Sequence, residues 1–230
     1  MIAKRPMQMG ILGCGDFLRW MAPGIQASQN VTVKWLFDPV NERAAHYAAE
    51  LGGQAAETAG AIFADPDVDI VCLFVPPWLR ADLWVQAAQA GKHILCEKPM
   101  CMGLKEADSI AAAVQKAGIT YMSAHNQLFL PAVQEAKKLI DSGAIGTIRW
   151  IRSQDCFLAG VQWFPGTWRA SLKTQGGGEL IDTGYHPTYR LLYLAGAPAV
   201  SIHGQMGRFV QRIEGEDTAS VQVRFANGVL

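Results

Sequence analysis

The chain has 230 residues, half of them hydrophobic, with 20 basic against 20 acidic side chains and a pI near 6.9. That balance argues against the electrostatic footprint of a nucleic-acid binder and offers no basic amphipathic stretch for a membrane surface. The longest apolar runs, at 70–75 and 191–197, are too short to span a bilayer, and the length suits two domains.

At the N-terminus Lys4-Arg5 precede only a brief apolar run, soon broken by Gly13, Gly15 and Asp16. That is a poor secretion signal and a good first strand. The five cysteines, Cys14, Cys72, Cys96, Cys101 and Cys156, form no Cys-x-x-Cys pair, and the five histidines add no ligand cluster to them. The thiols therefore read as reduced and structural, the location as cytoplasmic, and no metal is expected.

The first strand, 7–12, ends in Gly13-Cys14-Gly15-Asp16-Phe17-Leu18. Glycines at a strand-to-helix turn let the backbone bend sharply and approach a pyrophosphate, and the following helix offers N–H groups and a partial positive charge. Gly13, Gly15, Asp16 and Phe17 are thus candidate cofactor contacts. Leu18 replaces the usual third glycine, and Pro23 is expected to bend or shorten the helix. A second strand, 31–37, ends at Asp38, 23 residues after Gly15. A carboxylate there is placed to accept hydrogen bonds from an adenosine ribose and to repel a 2′-phosphate, favouring NAD over NADP. The plainer reading is that Asp38-Pro39 starts a turn before the helix 41–51.

A short strand and helix are expected near 58–64, and 69–75 reads as a strand buried on both faces. It ends at Pro76-Pro77-Trp78, a loop at the ligand edge, where Trp78 either lies against the cofactor or packs over the loop. Helix 79–90 leads to His93-Ile94-Leu95-Cys96-Glu97-Lys98-Pro99. This reads as a buried parallel strand whose carboxyl end delivers a cation beside a proline that limits its freedom; the alternative is a surface lysine before a helix. Helix 104–116 and strand 119–123 complete a doubly wound parallel sheet in residues 1–124.

From 125 the pattern changes. Residues 131–142 read as an amphipathic helix, 147–157 as an antiparallel strand, and 158–174 as an irregular stretch. The aromatics Trp163, Phe164 and Trp168 and the cation Arg169 suit either a pocket wall or a lid's own packing. Gly176-Gly177-Gly178 then enters an expected helix to about 195. Asp182 and His186, four apart, would share one face of it, where the carboxylate can orient the imidazole. Gly184 and Pro187 are costly helix residues around that histidine, which suggests geometry kept for another purpose. The alternative is a helix acid and a satisfied core histidine. Strands 199–210 and 216–225 and an Asn227-Gly228 turn close the sequence. A hairpin whose second strand is missing is an odd natural terminus, so a truncated gene product is expected.

With these residues laid out, the sequence resembles the Gfo/Idh/MocA oxidoreductases, the glucose-fructose oxidoreductase and inositol dehydrogenase family. The matches are Gly13-Cys14-Gly15, Asp38, Glu97-Lys98-Pro99, Gly176-Gly177-Gly178 with Asp182, Gly184 and His186, and Glu216-Asp217-Thr218-Ala219. The resemblance implies an NAD-binding Rossmann domain over 1–124 and a substrate-binding α+β domain over 125–230. The latter would carry an open, mainly antiparallel sheet that also forms a homodimer or homotetramer. It implies NAD(P)-linked oxidation of a secondary hydroxyl on a sugar, polyol or inositol. Lys98, Asp182 and His186 fall on the catalytic positions. Pro76, Trp78, Glu97 and Lys98 join the cofactor contacts, and Asn126, Trp168 and Arg169 join Lys98, Asp182 and His186 around a polyhydroxylated substrate. In many members the Lys-Pro bond is cis.

There are departures. Pro77 and Arg80 stand where members often have Asn and His near the nicotinamide, Tyr189 where an aspartate usually follows the histidine by three, and Gln127 and Leu128 where basic residues often follow the asparagine. Two other classes compete: an NAD- and sugar-binding sensor or co-repressor without turnover, and a redox-neutral enzyme that uses bound NAD transiently.

Overall fold

The computed structural model describes residues 5–157 and 166–230; the expectation for Trp163 and Phe164 falls outside them. The chain divides into two compact units, Met1–Ala124 and His125–Leu230.

The first unit is an alternation of strands and helices: β1 (Met7–Leu12), α1 (Asp16–Ala27), β2 (Val31–Phe37), α2 (Asn41–Leu51), β3 (Gln54–Ala55), α3 (Ala59–Ala64), β4 (Ile70–Leu73), α4 (Pro77–Gln89), β5 (His93–Cys96), α5 (Leu104–Ala117) and β6 (Tyr121–Ser123). The strands form one parallel sheet in the order β3-β2-β1-β4-β5-β6. The chain winds outward from β1 to one edge, then returns to β4 and winds to the other. The reversal lies between β1 and β4, where the loops at the carboxyl ends part and leave a crevice.

Alternation along β4 and its extension builds the core on both faces of the sheet. Val71, Leu73 and Val75 pack with Trp84, Ile94 and Ile110, while Cys72 and Phe74 pack with Ile11, Leu18 and Leu36. Trp84 is fully buried, so truncating it to alanine costs about 3–5 kcal/mol. Pro23 neither ends nor shortens α1, which runs 12 residues through it. Pro77, expected in a loop, begins α4, where its missing N–H costs nothing, so Trp78 lies in that helix's first turn.

The second unit contains α6 (Pro131–Asp141), α7 (Leu172–Gln175), α8 (Tyr185–Ala195), β7 (Ala199–Gly207) and β8 (Thr218–Phe225), with one-turn helices at Asn126–Phe129 and Trp168–Ala170. A small core joins Ala195 and Leu191 of α8 to Phe225, Val223, Val229, Ile148 and Ile151. The strand expected over 147–157 does not form a ladder. Its alternation is present, but among the described residues its backbone bonds run from Ile151 N–H to Leu230 O and from Leu230 N–H to Arg149 O, with no ladder. β7 and β8 pair antiparallel. Val200, Ile202, Met206 and Val221 lie on one face of this ribbon and remain exposed.

The helix expected from 176 to 195 starts only at Tyr185, with Gly184 as its N-cap. Residues 177–184 form consecutive bends and turns instead. Two consequences follow. Asp182 is not on the helix with His186 but in the turn that leads into it. Pro187, in the first helical turn, lacks an N–H that would have had no intrahelical partner, so its expected cost does not arise.

Candidate active site

The glycine turn is shaped by contact on one side and by space on the other. Gly13 has φ +96°, and a Cβ there would stand 2.6 Å from the Phe74 carbonyl oxygen, so only glycine fits. Gly15 caps α1, and a Cβ there would meet nothing within 4 Å, so the turn is open where the first N–H groups of the helix emerge. Asp16 is exposed in that first turn. Phe17 directs its ring into the core, edge-on to Phe74 at 5.5 Å, so only its backbone belongs to the turn. Leu18, in place of a third glycine, is fully buried against the sheet.

Asp38 binds the same turn. Its Oδ2 accepts the Cys14 N–H and its Oδ1 the Val40 N–H, both at 2.9 Å. A carboxylate has about four acceptor sites, so capacity remains for ribose hydroxyls. Beside it a cavity of about 330 Å³ is lined by Gly13, Phe37, Pro39, Val75 and Leu79, apolar walls with room for a planar base. The open side of Gly15, the carboxylate and this cavity together fit the adenosine half of NAD. Burial, assisted by Asp38, pushes the Cys14 thiol up to about 12, so it stays protonated in the turn.

Lys98 leaves the carboxyl end of β5. Its N–H donates to Glu97 Oε2 at 3.0 Å, and Glu97 itself is buried. The Lys98–Pro99 bond is cis. Arg80 is buried too and braces this turn: its Nε donates to Val75 O at 2.8 Å and its guanidinium to Pro99 O. The arginine thus links the end of β4 to the Lys98 turn. Pro76 is the N-cap of α4, and Trp78 is half-buried in the turn beyond it. Asp38, the Gly13 turn, Pro76 and Lys98 follow the carboxyl ends of β2, β1, β4 and β5, four consecutive neighbours in one parallel sheet.

In the second unit the glycine run is built against Glu216. A Cβ on Gly178 would fall 2.0 Å from Glu216 O, so the two backbones touch. Glu216 takes the Gly178 N–H on Oε2 (3.1 Å) and the Leu180 N–H on Oε1 (3.0 Å), while its carbonyl takes the Glu179 N–H (2.8 Å). The turns that carry Asp182 are held by this carboxylate 34 residues downstream.

Asp182 is buried and accepts from Arg169 Nε at 3.0 Å. The same guanidinium lies 4.1 Å over the Trp168 ring. His186 Nδ1 lies 2.6 Å from Tyr189 Oη, and that hydroxyl also contacts Asn126 Oδ1 (3.2 Å) and the Gln127 N–H (3.1 Å). Contacts within the unit thus join Trp168, Arg169 and Asp182, and join Asn126, Tyr189 and His186. Sequence reasoning missed Arg80 as a brace and Tyr189 as the partner of the histidine. The three-residue spacing from His186 to Tyr189 was the available signal for the latter.

Residues 7–125 match the family described as "Oxidoreductase family, NAD-binding Rossmann fold", and residues 133–230 match the "GFO/IDH/MocA C-terminal domain". The levoglucosan dehydrogenase of Pseudarthrobacter phenanthrenivorans is 35% identical over 170 residues, which cover 69% of this chain and 43% of that protein. Among solved structures, an aldose-aldose oxidoreductase from Caulobacter crescentus complexed with glycerol aligns with a TM-score of 0.90 at 30% identity, covering 98% of this chain and 69% of that one. A levoglucosan dehydrogenase in complex with NADH and levoglucosan aligns with a TM-score of 0.84 at 28% identity, covering 97% and 64%. The chain spans between 43% and 66% of the length of the curated relatives it matches.

Proposed function

Because this chain belongs to the Gfo/Idh/MocA oxidoreductase family, we propose that it transfers a hydride between NAD and a secondary hydroxyl of a sugar, polyol or inositol-type substrate. Residues 1–124 bind the dinucleotide and 125–230 the substrate. The observation that carries this reading is the row Asp38, Gly13–Gly15, Pro76 and Lys98 along adjacent strand ends. It offers a ribose acceptor, a pyrophosphate turn and a cation in the sequence that an extended dinucleotide requires.

NAD supplies the hydride chemistry, and the protein supplies alignment and proton handling. Asp38 accepts from the ribose, and the open turn at Gly15 takes the pyrophosphate. Lys98, its backbone held by Glu97 and its turn by Arg80, donates to the reacting oxygen and stabilises developing alkoxide charge. His186 takes the hydroxyl proton, a step worth on the order of 100- to 10,000-fold. Asp182, anchored by Arg169, helps to set the turn that leads into the helix of His186. Asn126, Trp168 and Arg169 line the substrate side.

The exposed apolar face of Val200, Ile202, Met206 and Val221 supports assembly as a homodimer or homotetramer through this ribbon. The cysteines Cys14, Cys72, Cys96, Cys101 and Cys156 are free thiols, which suits a reducing, cytoplasmic setting. No helix among the described residues is long and apolar enough to cross a membrane.

The test is NADH formation from NAD across a panel of polyols, inositols and anhydrosugars. Net NADH with at least one of them is expected. Tight binding of NAD and sugar without net NADH overturns the dehydrogenase reading in favour of a sensor or a redox-neutral enzyme.

A further inference from the structure

The Tyr189 hydroxyl carries one proton, and its contacts include the Gln127 N–H, Asn126 Oδ1 and His186 Nδ1. The Gln127 N–H donates to it at 3.1 Å. It donates to Asn126 Oδ1 at 3.2 Å. The third partner, His186 Nδ1, lies nearest, at 2.6 Å. An oxygen that spends its one proton on Asn126 can meet a ring nitrogen only as an acceptor. The hydrogen of the neutral imidazole must then sit on Nδ1, which places the lone pair on Nε2.

We propose that Tyr189 is a positioning residue that sets the tautomer of His186, holding the proton on Nδ1 and making Nε2 the proton acceptor, with Asn126 fixing the direction of the tyrosine's own proton. This rests on the reading of His186 as the base of the reaction.

The surroundings keep the phenol in place. Tyr189 is 5% exposed. Its ring is stacked on His125 with centroids 4.4 Å apart and planes 17° from parallel, and edge-on to Tyr185 at 6.0 Å. His125 has its pKa lowered by burial, so it stays neutral and adds no charge to the stack. Charged groups near this helix include Asp182, which pairs with Arg169, Arg190, which pairs with Asp155, Glu179, whose carboxylate meets the Thr183 hydroxyl, and Lys137, which lies over the Tyr193 ring. A neutral hydroxyl on Nδ1 orients the ring as a carboxylate would, but stabilises the imidazolium less.

The experiment is a two-bond proton–nitrogen correlation spectrum of the full chain labelled with nitrogen-15 histidine, the His186 signals being assigned by their loss in His186→Gln. The expected wild-type result is hydrogen on Nδ1 at neutral pH. In Tyr189→Phe the population moves to hydrogen on Nε2. Asn126→Ala, at an exposed site, moves it the same way, because the phenolic proton is then released to turn toward Nδ1. Hydrogen on Nε2 in the wild type overturns the proposal, as does an unchanged tautomer in Asn126→Ala. Neither spectrum needs substrate or turnover, so failure here is distinct from failure of the dehydrogenase reading. With an active substrate, Tyr189→Phe lowers kcat about tenfold or more at unchanged KM and shifts the acid limb of the pH–rate profile. An unmoved limb overturns the proposal.

Discussion

Arg169 Nε lies 3.0 Å from Asp182 Oδ2, and the same guanidinium covers the Trp168 ring at 4.1 Å. One cation thus fixes an aromatic and a buried carboxylate that are 14 residues apart in sequence. Removing it takes a hydrogen-bonding cation away from a buried carboxylate. Arg169→Gln is expected to lose about 1–3 kcal/mol in a urea titration and to lower kcat/KM, while Arg169→Lys recovers part of both. Wild-type stability in Arg169→Gln contradicts the role.

The two glycine turns are expected to separate under the same substitution. Gly178→Ala drives a methyl into the Glu216 backbone, and the fold is expected to lose at least about 3 kcal/mol or to fail outright. Gly15→Ala puts its methyl into open space, so melting temperature holds within a few degrees while NAD affinity, followed by quenching of tryptophan fluorescence, falls about tenfold or more. Equal damage to stability from both contradicts the reading of Gly15.

Asp38 is proposed to discriminate between the cofactors. Asp38→Asn keeps an acceptor for one N–H but removes the charge that repels a 2′-phosphate, so the ratio of NADP to NAD affinity is expected to rise about tenfold. A ratio that stays at its wild-type value removes Asp38 from cofactor choice.

Acid stability has a definite window. Burial raises the Asp217 carboxyl, but the N–H groups of Gln211, Val210 and Phe209 more than offset this and hold it at about 2. A folded pKa below the ordinary value near 3.9 gives stability that is fully present above about pH 4 and is lost as pH falls toward 2. Asp65, bonded by Lys34 and Trp35, is also held at about 2 and acts in the same direction. Asp217→Asn is expected to flatten the fall in urea midpoint between pH 4 and pH 2. A curve parallel to wild type contradicts the assignment.

The parallel sheet was legible because each signal was local. β1, the glycine turn, β2 and Asp38 follow one another, and the apolar run of β4 declares burial on both faces. The second unit was harder to read because its site is made by distant partners. Glu216 reaches back to Gly178 and Leu180, and Asn126 reaches forward to Tyr189. No window of sequence contains either pair. The Asp182 to His186 spacing misled for a different reason: four residues fit one helical turn, but close packing of Gly184 on Leu180 keeps Asp182 in the turn before α8. The alternation over 147–157 describes two faces without saying whether a neighbouring strand exists to pair with it.

The most direct measurement is single-turnover NADH formation by Lys98→Met with the substrate the panel identifies, alongside NADH binding. The account predicts cofactor affinity within about twofold of wild type and a rate lowered by at least about 100-fold. A rate equal to wild type at saturating substrate contradicts it.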